Sequence, residues 1–358
     1  MSRKESVDEL RKKIDQVDEK IVGLLNERAS FAQKIGHTKS QGKEEVYVPS
    51  REKEVFQKVS RLNQGPLPEQ AIHSVYREVL SASRSLETSI KIAYFGPEAT
   101  FTHMAAREKF GSSSTFVPMA SIGDVFQEVI QGRVNYGVVP IENSTEGVVT
   151  NTLDILVEAD VKICDEVSLE VHLNLLSRSG RFEDIRRILS YPHALAQCQR
   201  WLASQCPHVK VEEVGSTARA AQMAVRDASV AAIASGLAKD FYNLEVVARN
   251  IEDHTNNFTR FLVIGNRLPK PSGDDKTSIV FSVKDEVGVL HHMLEPFAKE
   301  RINLTKIESR PLKRKAWEYL FFIDFNGHTE EPRVQRALKK LEKKCLFIKV
   351  LGSYPCGV

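Results

Sequence analysis

The 358-residue chain is poor in the features that mark secretion, metal binding or membrane insertion. Its five cysteines, Cys164, Cys198, Cys206, Cys345 and Cys356, are odd in number, scattered and without a CxxC pair. That usage suits neither a disulfide framework nor zinc-ligand spacing, and it predicts reduced thiols in the cytoplasm. No apolar run is long enough to span a bilayer, and the charged N-terminal stretch has no signal-peptide core. Nor is there an excess of one charge: 50 Lys and Arg are interspersed with 47 Asp and Glu, leaving a net +3. Neither nucleic acid nor a membrane surface is therefore an expected partner. What is present is a 42% hydrophobic share, ordinary for a chain with real cores. At roughly 100–200 residues per domain, two or three domains are predicted.

The texture changes twice along the chain. Residues 7 to about 41 read as one helix, with Leu10, Ile14, Val17, Ile21, Leu24, Leu25, Ala32 and Ile35 at helical spacing. Gly23 and Gly36 weaken that helix without forbidding it. Pro49 opens a second helical pattern to Leu62, and Pro68 a third to Glu87. A first helix of about 50 Å cannot bury its apolar stripe on two shorter ones, so the segment is expected to dimerise. From Ile90 short β-branched runs alternate with helical runs, which predicts an α/β fold with largely parallel sheets. The runs are 90–95, 116–118, 134–140, 161–176, 188–191, 209–214, 230–233 and 261–265. Residues 268–276 read as a linker. Beyond it strands and helices follow in the order βαββαβ, the ferredoxin-like arrangement. The expected domains are therefore 1–88, 89–267 and 277–358.

In the first segment the informative feature is cations at stripe spacing. Arg28 and Lys39 are eleven residues apart and project within roughly 20° of each other on a helix. A partly buried cation needs an anionic partner, which could be a ligand or simply a facing helix. Arg11 points elsewhere, Arg51 and Glu52 open the second helix, and Ser83 and Glu87 form an i, i+4 pair on the third. The run LRKKIDQVDEKIVGLLNERASFAQKIGHTK and the following PSRE resemble the all-helical chorismate mutase family over residues 5–88. That resemblance implies an intertwined dimer. In it Arg11 of the partner chain, Arg28 and Arg51 hold the carboxylates of chorismate, Lys39 meets the ether oxygen, and Glu52 and Ser83 line the site. One branch of the family has aspartate at the place of Val48 and glutamine at the place of Glu87. A carboxyl can donate to the ether oxygen only when protonated, so mutase activity is expected to fall as pH rises through the Glu87 pKa. A pericyclic rearrangement calls for no nucleophile and no cofactor.

Five polar turns punctuate the middle segment, all at strand–helix junctions. They are Gly96-Pro97-Glu98-Ala99-Thr100-Phe101-Thr102, the run from Pro140 to Gly147, Ser190-Tyr191-Pro192-His193 with Gln197 beyond it, Ser216-Thr217, and the run from Asn256 to Phe261. A lone polar turn is usually only a turn, and Ser216 suits a plain helix cap. Five together suggest one cleft. GPEATF, PIENSTEGVV, YPHALAQC and NNFTRFLVI resemble prephenate dehydratases over residues 90–265, although Ala99 stands where that family has glycine. The resemblance implies two α/β lobes, like those of periplasmic binding proteins, with the site between them. Thr259 would be the proton donor, and Asn143, Ser190 and Gln197 would bind or orient substrate. Glu142, Thr100 and Ser144 would stand close by, and Arg260 would bind a carboxylate or hold a lobe.

The last segment is similar to ACT regulatory domains. Gly288-Val289-Leu290-His291 and Glu308-Ser309-Arg310-Pro311 match the motifs that form a phenylalanine pocket between paired domains, with Asn303 and Leu304 adjoining and Trp317-Glu318-Tyr319-Leu320 in keeping. Arg301 stands where glycine is usual, and a left-handed turn there would cost about 1 kcal/mol. Together the three resemblances imply an enzyme that makes prephenate from chorismate and phenylpyruvate from prephenate, with no cofactor or metal. Phenylalanine would inhibit it, and the chain would form a homodimer or homotetramer. A dehydratase with a mere helical arm, acting on prephenate or arogenate, and a non-catalytic amino-acid or keto-acid sensor are the alternatives. Removal of residues 271–358 is expected to abolish phenylalanine inhibition.

Overall fold

The computed structural model describes residues 6–42, 47–284, 286–311 and 319–357; the side chains of 39–42 lie outside that description. Lys39's side chain, Trp317 and Glu318, all singled out above, therefore lie outside it. The described residues form two compact units. One comprises residues up to 48, 55–90 and 110–115, the other 49–54, 91–109 and everything from 116.

Three helices, α1 (Val7–Gly42), α2 (Pro49–Leu62) and α3 (Glu69–Glu87), fall where the periodicity places them. A capping box starts α1: Glu9 N donates to Ser6 Oγ at 3.2 Å and Ser6 N to Glu9 Oε2 at 2.8 Å. Proline opens α2. Along α1 the large apolar side chains from Val7 to Ile35 stay exposed, Val17 at 51% and Leu24 at 64%, while Arg28, Ala29 and Ala32 are half-buried. Gly36 is needed for close approach to α3, since a Cβ there would lie 2.7 Å from Glu87 Cγ.

The α/β segment runs β1 (Lys91–Phe95), α4 (Phe101–Phe110), β2 (Thr115–Met119), α5 (Ile122–Ile130), β3 (Tyr136–Asn143), β4 (Gly147–Val148), α6 (Thr150–Glu158), β5 (Lys162–Glu170), β6 (Asn174–Ser177), β7 (Arg187–Ser190), α7 (Pro192–Gln197), α8 (Gln199–Gln205), β8 (Lys210–Glu213), α9 (Thr217–Arg226), β9 (Val230–Ala234), α10 (Gly236–Tyr242), β10 (Glu245–Ala248) and β11 (Phe258–Gly265). The C-terminal part is β12 (Asp275–Val283), α11 (Val289–Lys299), β13 (Leu304–Pro311), β14 (Tyr319–Asn326), α12 (Pro332–Glu342) and β15 (Phe347–Pro355).

Two sheets organise these elements. In lobe 2 the order is β10-β6-β9-β7-β8. In lobe 1 it is β5-β11-β3-β1-β2, and the C-terminal strands continue the same sheet as β13-β14-β12-β15 beside β5. The C-terminal order is the ferredoxin-like one. The expectation of largely parallel sheets is corrected: both lobes are mixed. β11 returns antiparallel to both β3 and β5, and β6 is antiparallel to β9 and β10. The long apolar run 161–176 is two strands, and each enters a different sheet.

One core lies on lobe 1 and includes Phe126, Leu156 and Ile264 together with Phe322, Leu351 and Tyr354 of the C-terminal part. Two more sandwich the lobe 2 sheet. Ala99 and Arg301 both have left-handed backbone, with φ of 64° and 55°. Among the described residues no helix is long and apolar enough to cross a membrane.

Candidate active sites

Strand pairing fixes the centre of the dehydratase-like site. β3 and β11 run antiparallel with Asn143 opposite Thr259. Successive side chains on a strand face opposite ways, so these two look into one cavity while their neighbours Glu142 and Arg260 look out of the other face. The cavity is about 820 Å³ and takes its walls from both lobes, including Gly96, Thr100, Asn143, Tyr191, His193, Gln197, Ser216, Asn257 and Thr259. A space of that size fits a small organic substrate.

Hydrogen bonds inside it are dense. Asn143 Nδ2 donates to Thr259 Oγ1 at 2.8 Å and to Asn257 Oδ1 at 2.9 Å. Asn257 Nδ2 donates to Gln197 Oε1 at 2.9 Å, and Gln197 Nε2 to Thr145 Oγ1 at 3.1 Å. Asn143 Oδ1 accepts from Thr145 N, Thr145 Oγ1 and Glu146 N. Across the mouth His193 Nδ1 lies 3.2 Å from Glu146 Oε1. Thr100 reaches the cavity, but its hydroxyl donates to Pro97 O at 3.0 Å and accepts from His103 N at 3.3 Å, closing the turn before α4. Ser216 combines both of its readings: it caps α9 through Arg219 N and lines the cavity.

Four expected site residues are corrected in that none of them lines the cavity. Ser190 is fully buried and its hydroxyl donates to Ile233 O at 2.6 Å, so it joins lobe 2 strands instead of lining the cavity. Ser144 staples two loop ends by accepting from Phe258 N and donating to Asn256 O. Glu142 takes Lys306 of β13 at 2.5 Å. Arg260 donates to Glu166 Oε2 and Asp324 Oδ2, both at 2.7 Å, and to Tyr354 OH at 3.0 Å, which fulfils the structural half of its expectation. Burial works to raise the Glu166 pKa, but Arg260 and Lys276 beside it hold its carboxyl below the ordinary range.

Two buried titratable groups outside the cavity belong to the core. Burial pushes the Cys198 thiol up to about 12, helped by Glu252 and Asp253. His103, stacked on Tyr94, is brought down to about 4 by burial and then by Arg107, and its Nδ1 accepts from Ala99 N at 3.0 Å. That bond holds the left-handed turn at Ala99. Asn257 and Thr145 are site residues that the sequence reading does not single out, although both stand inside quoted motifs, Thr145 two positions after Asn143 and Asn257 two before Thr259.

In the helical unit Arg28 donates to Ser83 Oγ at 2.6 Å, joining α1 to α3, and Glu87 packs one turn farther along α3 against Gly36. Arg11 is exposed and pairs with Asp8 at 3.5 Å, and Arg51 pairs with Glu54 at 2.6 Å on its own helix. In the C-terminal part Gly288 has φ of 79° just before α11, so Val289, Leu290 and His291 form its first turn. Asn303 and Leu304 lead into β13, the end strand of its sheet, which carries Glu308, Ser309, Arg310 and Pro311. Arg310 reaches α6, donating to Thr150 O at 2.6 Å and to Asp154 Oδ1 at 2.5 Å.

Comparison with known proteins follows this division. Family models match for chorismate mutase type II at residues 10–88, prephenate dehydratase at 92–268 and the ACT domain at 277–343. A bifunctional chorismate mutase/prephenate dehydratase of Aquifex aeolicus is 53% identical over 355 residues, with 98% of each chain covered. A protein of the same name from Pseudomonas aeruginosa is 44% identical over 364 residues, with all of both covered. Among solved structures, the prephenate dehydratase of Arthrobacter aurescens in complex with L-Phe is 33% identical. Its TM-score is 0.69, over 74% of this chain and 90% of its own.

Proposed function

The chain belongs to the bifunctional chorismate mutase/prephenate dehydratase family, and from that premise we propose which of its residues perform each reaction. It carries a chorismate mutase, a prephenate dehydratase and an ACT domain. The divisions proposed are 1–88, 89–267 and 277–358 with 268–276 as linker, and the compartment proposed is the cytoplasm.

In the second reaction Thr259 gives its hydroxyl proton to the departing ring hydroxyl of prephenate. The bond from the ring to the carboxylate breaks as that hydroxyl leaves. Its electron pair enters the ring, carbon dioxide and water depart, and the threonine is reprotonated from solvent. Aromaticity drives the step. A threonine is a weak acid, so the work falls to placement and to Asn143, whose amide stabilises negative charge on Oγ1 as it develops. Gln197 orients substrate from lobe 2, and Thr100 shapes the opposite wall. The observation that carries this reading is the 2.8 Å bond from Asn143 Nδ2 to Thr259 Oγ1 inside the cavity.

In the first reaction Arg28, with Ser83 beside it, Arg51 and the partner copy's equivalent of Arg11 hold the carboxylates of chorismate. Lys39 and Glu87 serve the ether oxygen, and Glu52 lines the site. The exposed apolar stripe of α1 supports a dimer through that helix. Pairing of C-terminal domains as well would give a tetramer. Phenylalanine is proposed to bind at Gly288–His291, Asn303, Leu304 and Glu308–Pro311 and to inhibit by favouring a less active state. Arg310 then acts from its bonds to α6.

The test is chorismate alone given to the purified chain. Phenylpyruvate should form, and less of it with phenylalanine present. Prephenate accumulating without phenylpyruvate would sink the dehydratase assignment, and turnover only of added prephenate would sink the mutase assignment.

A further inference from the structure

We propose that Asn257 is a positioning residue for Thr259, and that with Thr145 it closes a one-way ring of hydrogen bonds across the dehydratase cleft. The inference rests on Thr259 as proton donor.

The ring's direction follows from two groups that can only donate. Backbone N–H groups of Thr145 and Glu146 point at Asn143 Oδ1, at 2.9 and 3.1 Å. They fix which way the Asn143 amide faces, a choice otherwise ambiguous for an asparagine. Its Nδ2 must then face Asn257 Oδ1 and Thr259 Oγ1. With its oxygen occupied, Asn257 offers Nδ2 to Gln197 Oε1. Gln197 offers Nε2 to Thr145, whose hydroxyl proton returns to Asn143 Oδ1 at 2.5 Å. Each member donates onward, and every amide orientation is set.

Two consequences follow for the chemistry. Thr259 Oγ1 receives a hydrogen bond from Asn143, so its own proton is directed to the cavity. Asn143, Thr145 and Asn257 belong to lobe 1 segments, whereas Gln197 ends α7 on lobe 2. The ring therefore exists only when the lobes stand at this separation, and it ties closure of the cleft to the direction of the proton. Asn257 is 2% exposed and takes part in both halves of the ring. Its backbone carbonyl also accepts from Val171 N at 2.7 Å, in the segment between β5 and β6 that links the lobes.

Asn257→Asp distinguishes a hydrogen-bonding role from mere packing. The aspartate side chain has the shape of asparagine but, when ionised, cannot donate to Gln197, and it sets a negative charge beside a dianionic substrate. When protonated it can donate again. Titratable groups on the segments around it are His193 and Glu146 at the cavity, Glu170, His172 and Glu252 on the segments that cross between the lobes, and Asp253 next to Gln197. The comparison is therefore between pH profiles of variant and parent.

In the full-length chain, Asn257→Asp is expected to lower dehydratase kcat by about 100-fold at neutral pH, with KM changed much less. Activity should recover toward acid relative to the parent, whereas Asn257→Ala should lose kcat without that recovery. Chorismate mutase turnover in the same sample reports that the chain is folded. A parallel pH profile in Asn257→Asp, or a loss confined to KM, would overturn the inference. Should the aspartate variant fail to fold, Thr145→Val on its exposed loop still tests the ring. It should lower kcat about 10-fold, and an unchanged kcat counts against the proposal. Thr259→Val separates the two layers. If it keeps full dehydratase activity, the proton-donor reading fails; if it is inactive while Asn257→Asp behaves as the parent, only the ring fails.

Discussion

In the helical unit the apolar face of α1 lies open to solvent from Val7 to Ile35, whereas in the α/β lobes Asn143, Asn257, Gln197 and Thr145 hold one another within a single chain. On the proposed reading the first site has its cations on a surface that a second copy would cover. The second site has its cover, its walls and its orienting bonds already in place. On that reading one chain contains a site completed by folding and another completed by association. The mutase should therefore follow protein concentration more closely than the dehydratase does.

Experiments can break that comparison, beginning with the largest effect. Thr259→Val should lower dehydratase turnover by about 10²–10⁴-fold and leave the mutase intact. Arg28→Ala should do the reverse, lowering mutase turnover by about 10²–10³-fold. Equal losses of both activities in either variant would show that the sites are not independent. Glu87→Gln should flatten the alkaline fall of mutase activity, and an unchanged profile would remove Glu87 from the reaction.

Stability provides the smaller effects. Glu166 has a depressed pKa in the folded state, so the stability it contributes is present above the unfolded carboxylate pKa. That stability is lost as pH falls through the folded value. Glu166→Gln should lower Tm at neutral pH and narrow the difference from the parent in acid. Its cost should be about 3 kcal/mol, because Arg260 and Lys276 keep their charges in a buried setting. Smallest is Arg301→Gly, which relieves a left-handed residue and should stabilise by about 1 kcal/mol in a denaturant titration.

Much of this was legible in the chain before any coordinates. The three helices follow from apolar spacing and from prolines at their starts. Polar turns at strand–helix junctions marked the segments of the cleft, and the resemblance to prephenate dehydratases singled out Thr259, Asn143 and Gln197 within them. The misplacements have one physical cause. Glu142 and Arg260 were read with the motifs they sit in, but a strand alternates its faces, so a residue next to a cavity residue points away from the cavity. Parity along the strand was available in the sequence; what the opposite face packs against was not. Ser190 needed three-dimensional knowledge, since only the pairing of lobe 2 strands brings Ile233 O within its reach. The mixed sheets were hidden because strand direction depends on how the chain returns, and β11 returns from the far lobe.

The shared sheet sets terms for modularity. Lys306, Asp324 and Tyr354 meet the backs of the two strands whose fronts carry Asn143 and Thr259. A foreign βαββαβ module spliced on after the linker would have to bring a cation, a carboxylate and a phenol at those three places. Otherwise Glu142 would face a wall without its counterpart, and Arg260 would keep only Glu166 of β5. Cutting the chain at 271 has the same defect, so loss of phenylalanine control in such a truncation would be confounded with loss of these contacts. Single substitutions within β13 are the cleaner instrument, and any lineage that exchanged this domain whole would have had to change residues 142 and 260 along with it.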